Sequence, residues 1–417
     1  MLLVLFLFVS FLLLMLLGMP IAFAVGFSSL ISIICEGSIS LMLIPQKMFN
    51  IIDSFVLLAI PLFILTGELL SISGVTNRIT RFSTALVGRF RGGLGMAATV
   101  SCMIFAGISG SAVADTSAIG SMMIPSMLKR AYKPGLVSAI VASGGCIGPI
   151  IPPSILMVVY ASISSGVSVG ALFKAGIIPG IFLGIGFMII TYFFALRDNY
   201  GKEKWQGLKC FFIIFKEALL TLFAPLIIIG GIISGVFTAT EAGAIAAGYS
   251  FFLGSVIYKT LDIKKIEIAC LRTAKLTSVV VMIIASCGLF SWVLSFKEIP
   301  KLVAKTILIC NISPNLFMLY SIFILLIAGC FIEVLAAALI FVPVLAPIGA
   351  QLGFNDVHFS LTMILALVIG NVTPPVGVLL YVSTSLAKTT LSETLKYIFP
   401  YIFIMLIVLF VYAYMPR

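Results

Sequence analysis

Ser109, Gly110 and Ser111, followed by Asp115, set two hydroxyls, a carboxylate and a glycine within one short stretch. Gly329 to Glu333 repeats the theme with a glycine and a carboxylate. Two further stretches, Gly144-Gly145-Cys146-Ile147-Gly148-Pro149-Ile150-Ile151-Pro152-Pro153 and Gly370-Asn371-Val372-Thr373-Pro374-Pro375-Val376-Gly377, combine glycines with tandem prolines. Proline donates no backbone hydrogen bond, so carbonyls upstream of it lose their amide partners, and glycine lets another backbone come close. Free carbonyls, hydroxyls, an amide and carboxylates are the oxygens that a hard cation takes as ligands at unwound helix ends. Softer chemistry has little to work with. The eight cysteines are scattered singly, without CxxC or zinc-ligand spacing, and read as packing residues. His358, the one histidine, falls beside Asn355 and Asp356 in an expected loop, and no glycine-rich Lys-Ser/Thr phosphate loop occurs.

The elements that carry these oxygens must lie in a membrane. Hydrophobic residues make up 62% of the 417 and charged residues only 9%, more apolar surface than a soluble domain can hide. Uncharged runs at 1–35, 134–173, 175–196, 218–240, 276–296, 306–332, 357–387 and 397–416 reach or exceed the roughly 20 residues that span a bilayer. The run 134–173 would be ~60 Å long as one helix, about twice the hydrocarbon thickness, so it must bend or break. Residues 1–35 are too long and lack the basic leader for a cleaved signal, and read as one span or a bent pair. The net charge of +11 does not require nucleic acid, because the basic residues sit in short connections between spans.

Charge placement gives the orientation. Connections 78–91, 129–133, 197–216 and 259–275 hold 17 of the 25 Lys and Arg, and Lys388 and Lys396 bring the count to 19. These belong on the cytoplasmic side. Lys47, Lys174, Lys297, Lys301, Lys305 and Arg417 are left for the other side. Segment 92–128 has basic flanks at both ends, Arg89 and Arg91 before it and Lys129, Arg130 and Lys133 after it, so it enters and returns. Segment 316–350 has neither Lys nor Arg in its flanks, Asn311 to Asn315 and Gln351 to His358, and reads as a hairpin entering from outside.

An inverted repeat follows. A span at 54–73, hairpin 92–128, broken helix 134–165 and span 175–196 correspond to 276–296, hairpin 316–350, broken helix 359–387 and span 397–416. Pro125 is set against Pro343, and Pro152-Pro153 against Pro374-Pro375. Four regions result: 1–53, an N-terminal span and external connection; 54–196, the first repeat; 197–275, linking spans and cytoplasmic loops; and 276–417, the second repeat. The fold expected is all-α and polytopic, with two re-entrant hairpins. Segments 74–91 and 297–312 read as amphipathic helices along the interface. Gly230, Gly231, Ser234 and Gly235 read as close helix packing, and Tyr401, Tyr412 and Tyr414 as interfacial anchors.

Two buried breaks in corresponding halves point to a transported solute. Sodium is the cation the oxygens suit: Ser109, Gly110 and Ser111 would face Gly145 and Gly148 at one site, and Gly329 to Glu333 would face Asn371 and Thr373 at the other. Neither repeat core carries Lys or Arg, so an anion would rely on helix N-termini and bound sodium. Ser154, Thr373 and Ser383 are further candidate substrate contacts, and Asp115 and Glu333 are candidate transport-related acids. Glu68 and Glu241, near span ends, read as structural.

The sequence resembles the large membrane subunit of tripartite ATP-independent periplasmic (TRAP) transporters. The resemblance runs the length of the chain through Pro61-Leu62-Phe63-Ile64-Leu65-Thr66-Gly67-Glu68-Leu69, Ser109-Gly110-Ser111-Ala112-Val113-Ala114-Asp115-Thr116, Gly148-Pro149-Ile150-Ile151-Pro152-Pro153-Ser154, Gly235-Val236-Phe237-Thr238-Ala239-Thr240-Glu241-Ala242 and Val372-Thr373-Pro374-Pro375-Val376-Gly377-Val378. Ala239 departs from it, since the family usually has proline there. The resemblance implies an elevator-type ion-transporter fold and a sodium-coupled importer of an organic acid anion in a bacterial inner membrane. It also implies two partners, a small membrane subunit of about four helices on a separate chain and a periplasmic substrate-binding protein. No cofactor is expected beyond sodium as coupling ion. Two alternatives stay open: a self-sufficient sodium- or proton-coupled organic anion carrier, and an intramembrane serine protease. The second rests on Gly107-Ile108-Ser109-Gly110, which matches the GxSG of rhomboid-type proteases, but such chemistry needs a base beside the serine.

Overall fold

Gly18, at φ +83°, and Pro20 break the first apolar run, which therefore forms two helices, Leu2–Leu16 and Ile21–Glu36, packed on each other. The computed structural model describes residues 2–37, 39–164, 166–203, 207–309 and 312–415; Lys204, Asn311 and Arg417, assigned to sides above, lie outside the described residues. Among the described residues seven helices are long and apolar enough to cross a membrane.

Every element of the first repeat has a counterpart in the second. Span Ala59–Ile72 leads to the amphipathic helix Val75–Val87, and span Ile263–Phe296 leads to Ile299–Ile309. The hairpins are Gly93–Ser109 with Ala112–Lys129, and Pro314–Phe331 with Val334–Gln351. The broken helices are Pro134–Gly145 with Ile155–Ile163, and Asp356–Gly370 with Val378–Ala387. Closing spans run Val169–Arg197 and Leu391–Tyr414.

The helix ends set the register at 222 residues: the returning hairpin helices begin at 112 and 334 (334 − 112 = 222) and end at 129 and 351 (351 − 129 = 222). Pro125 therefore corresponds to Pro347 (347 − 125 = 222) and not to Pro343, which lies one turn earlier in the same helix. The repeats interlock. Ile155–Ile163 packs on the second hairpin, while Val378–Ala387 packs on the first, and Cys146 Sγ lies 3.6 Å from the carbonyl of Val368, its own counterpart at 222 residues.

Close packing, not hydrophobic driving force, holds helices together in lipid, and small residues permit it. Gly329 and Gly370 cross so tightly that a methyl group on Gly329 would come 2.6 Å from the Leu367 carbonyl. Tyr401 is fully buried and shares a 2.9 Å hydrogen bond with Thr191, so it braces two spans and is not an interfacial anchor; Tyr414 is exposed and donates to the Asn315 carbonyl.

Thr238 and Glu241 form a capping box on helix Ala239–Phe252, each side chain taking the other's backbone N–H. Ala239 stands at the first helical position, where proline is well tolerated because its missing donor has no intrahelical partner to lose. His358 is not in a loop: it lies in the first turn of Asp356–Gly370, buried, with Nε2 2.7 Å from the Tyr412 carbonyl.

Candidate functional site

Ser109 ends one hairpin helix and Ser111 begins the other, with Gly110 at φ +63° making the turn between them. The Ser109 hydroxyl donates to Asp115 Oδ1 and accepts from the Ser111 N–H at 3.2 Å, which locks the tip. Ile155 N–H, at the far end of the first break, donates to the Gly110 carbonyl at 3.3 Å. A methyl group on Gly148 would come 2.5 Å from Asp115 Oδ2 and 3.1 Å from the Ser111 carbonyl, and one on Gly145 would collide with Thr116 Oγ1 and lie 3.0 Å from the Ala112 carbonyl. The glycines thus seat the break directly on the oxygens of the hairpin. Asp115 Oδ2 and Thr116 Oγ1 are buried and accept or donate no hydrogen bond, a costly condition in a protein interior unless a ligand satisfies it.

The second tip has the same construction with different side chains. Glu333 stands where Ser111 stands in the first repeat (333 − 111 = 222) and caps its helix, Oε2 accepting from Leu335 N at 2.9 Å and Ala336 N at 3.2 Å. Gly377 N–H, at the end of the second break, donates to the Cys330 carbonyl at 3.3 Å, matching Ile155 in the first (377 − 155 = 222). Asn371 is 2% exposed, and its Oδ1 is a third buried oxygen without a partner. Thr373 donates to the Ile369 carbonyl at 2.7 Å, closing the end of its helix.

Both tips and both breaks open on one cavity of about 350 Å³. Ser109 to Ala112 line it from one side and Glu333 to Leu335 from the other, with Pro149, Ile155 and Asn371 from the breaks. Spans Ala59–Ile72 and Ile263–Phe296 form the remaining wall through Ile64, Gly67, Glu68, Ser71, Arg272, Leu276 and Val280. Arg272 reverses an expectation: segment 259–275 read as a connection, yet the helix starts at Ile263 and carries Arg272 into the cavity wall, 3.6 Å from Glu68.

The structure does not bring every candidate to this cavity. Ser154 caps Ile155–Ile163 through Met157 N and donates to the Pro149 carbonyl at 2.6 Å, behind the lining. Ser383 pairs with Ser138 at 2.8 Å in the packed interface between the broken helices. Ser109, the serine of the GxSG match, is bonded to a carboxylate and not to an imidazole.

All the candidate donors here are hard oxygens, and among the described residues no three His, Cys, Asp or Glu cluster as a metal site. A monovalent hard cation fits such a set: Asp115 Oδ2 and Thr116 Oγ1 are orphaned at the first junction, Asn371 Oδ1 at the second.

Two hairpin tips meeting two unwound helices around one cavity define a multi-pass membrane transport protein of the inverted-repeat class. Residues 8–417 match the family described as "Tripartite ATP-independent periplasmic transporter, DctM component", and the chain belongs to that family. It is 36% identical over 400 residues to the sialic acid TRAP transporter large permease protein SiaM of Vibrio cholerae, covering 96% of this chain and 93% of that protein. It is also 36% identical over 423 residues to the C4-dicarboxylate TRAP transporter large permease protein DctM of the same organism, covering 96% and 93%. Among solved structures, the YdaH transporter of Alcanivorax borkumensis shares the fold, with a TM-score of 0.59 at 14% identity over 89% of this chain and 86% of that one.

Proposed function

We propose that this chain is the large membrane subunit of a sodium-coupled importer for an organic acid anion, residing in a bacterial inner membrane. The observation that carries the reading is the cavity between the two tips, backed at both junctions by buried oxygens that lack partners. Sodium held by Asp115, Thr116 and the carbonyls of Ser111 and Ala112, and by Asn371 and its neighbouring backbone, would satisfy those oxygens. Its charge would also offset a carboxylate bound beside the tips. Sialic acid and C4-dicarboxylates, the solutes named for two relatives, both carry that carboxylate.

In this reading the hairpins and broken helices move as one unit against a scaffold of Ala59–Ile72, Ile263–Phe296 and the helices packed on them. The interlocked breaks support a rigid moving unit, because each broken helix packs on the other repeat's hairpin. A small membrane subunit on a separate chain and a periplasmic binding protein complete the assembly.

Uptake into proteoliposomes tests the proposal, with labelled succinate and labelled sialic acid, both partners present and an inward sodium gradient. Uptake that needs sodium and the binding protein is expected. Equal uptake with choline in place of sodium would overturn the coupling, and sodium-driven uptake without the binding protein would make the chain a self-sufficient carrier.

A further inference from the structure

A second cavity, of about 550 Å³, lies between the same scaffold helix Ile263–Phe296 and the second hairpin. Its scaffold wall includes Gly288, Ser291 and Ser295, whereas the first cavity uses Ile64, Gly67 and Ser71. Each pair differs by 224 (288 − 64, 291 − 67, 295 − 71), the same interval as the amphipathic helices that follow at 75 and 299 (299 − 75 = 224). The two cavities are therefore repeat-related faces of one scaffold, on opposite sides of the moving unit. Their charges differ. Arg272 is the sole Lys or Arg among the residues lining the first cavity, and none lines the second; Trp292, at the interval from Glu68 (292 − 68 = 224), lies outside that lining with Lys47 Nζ 5.5 Å from its ring centroid.

Arg272 is held loosely. Its Nη1 is 3.6 Å from Glu68 Oε2, an ion contact too long for a hydrogen bond, and the buried Glu68 oxygen has no hydrogen-bond partner. The Arg272 side chain is 60% exposed. A guanidinium fork tethered at one corner leaves its other donors for a planar carboxylate.

We propose that Arg272 is the scaffold's cationic contact for the carboxylate of the transported anion in the state open to the basic side, with Glu68 as its tether. The inference rests on the organic-anion reading above and deepens it. As sodium leaves the tips, the anion loses its compensating charge, and Arg272 supplies it at the mouth. On the opposite side the scaffold lining offers the hydroxyls of Ser54, Ser291 and Ser295 and the amide of Asn50 but no Lys or Arg, so a cationic scaffold contact exists in one state of the cycle.

Sidedness makes the test. Proteoliposomes of the full assembly are loaded with graded labelled succinate or sialic acid, and efflux is driven by an outward sodium gradient with excess unliganded binding protein outside. Arg272→Gln is expected to raise the internal half-saturating concentration for efflux at least tenfold while the external half-saturation in uptake changes less than twofold. Arg272→Lys, which keeps the charge but not the fork, is expected to fall between them and serves as the readout if the Gln variant does not fold. An internal half-saturation that stays put, or one that moves equally on both faces, overturns the inference while normal uptake by the unaltered assembly leaves the functional reading intact. Failure of the unaltered assembly to carry either anion overturns that reading and this inference with it.

Discussion

Asp115 holds one oxygen on Ser109 and points the other, without a partner, at Gly148. Asp115→Asn can keep an acceptor for Ser109 but removes the charge, so the tip should fold while the proposed sodium site loses its carboxylate. We expect the sodium concentration giving half-maximal uptake to rise about tenfold, equivalent to about 1.4 kcal/mol; an unchanged sodium dependence would remove Asp115 from the site. Gly148→Ala tests the same junction from the other strand of backbone. Its methyl would meet Asp115 Oδ2 and the Ser111 backbone, and relief of such overpacking costs about 1–3 kcal/mol. Sodium-induced thermal stabilisation of the purified protein should disappear in this variant. The oxygen-rich stretches were legible in the sequence because glycine, proline, serine and acids are rare choices inside apolar helices. Arg272 was not, because ending a span at its last charged residue fails where a helix face lines an aqueous cavity.

At the scale of elements, Glu333 shows how one residue can carry two duties. Its carboxylate caps Val334–Gln351 through two backbone N–H groups, and it also lines the cavity. Glu333→Gln retains an acceptor for the cap and should leave the melting temperature near that of the unaltered protein, while Glu333→Ala should lower stability by about 1 kcal/mol. If the charge also serves the cation, the Gln variant loses sodium-dependent uptake; full uptake by that variant would reduce Glu333 to a cap. Repeat elements were readable from charge-free runs and proline pairs. Their register was not, because Pro343 and Pro347 are both acceptable partners for Pro125, and helix ends alone decide between them. The loop ends are tied more simply. Lys133 Nζ lies 3.0 Å from Asp198 Oδ1, and Arg197 Nε 3.3 Å from the same atom. Burial alone would push the Asp198 carboxyl up, but the bonds from Lys133 and Arg197 outweigh it and hold the carboxyl below its ordinary range. Because the folded value is the lower one, this tie contributes above the ordinary carboxylate range near pH 4 and is lost as pH falls through the folded value. Lys133, raised by the same bond, keeps its share until pH climbs past its ordinary range near 10. Asp198→Asn should therefore lower thermal stability at neutral pH and flatten its decline under acid, measured by melting between pH 3 and 8.

For the whole molecule, the question is whether the hairpin unit leaves its scaffold. Charge asymmetry along the chain predicts an orientation for two inverted repeats, and apolar runs mark the spans but not their ends, as Ile263–Phe296 shows. Neither says which surfaces slide, since that depends on side chains meeting across elements far apart in sequence. Gly67 supplies a probe. A methyl group there would lie 3.7 Å from Ser109 Cβ, close to the spacing of a disulfide. Cysteines introduced as Gly67→Cys and Ser109→Cys should therefore cross-link span Ala59–Ile72 to the first tip on mild oxidation, in a background without the native thiols. Taking Ser109→Cys alone as the baseline, oxidation of the pair should halt its uptake and reduction should restore it, because a tip fastened to the scaffold cannot carry the cavity to the hydroxyl-lined face of Gly288, Ser291 and Ser295. Uptake that persists at the baseline rate after complete cross-linking would mean that the tip stays on the scaffold throughout, and the anion would then cross by local opening of the hairpins around a stationary site.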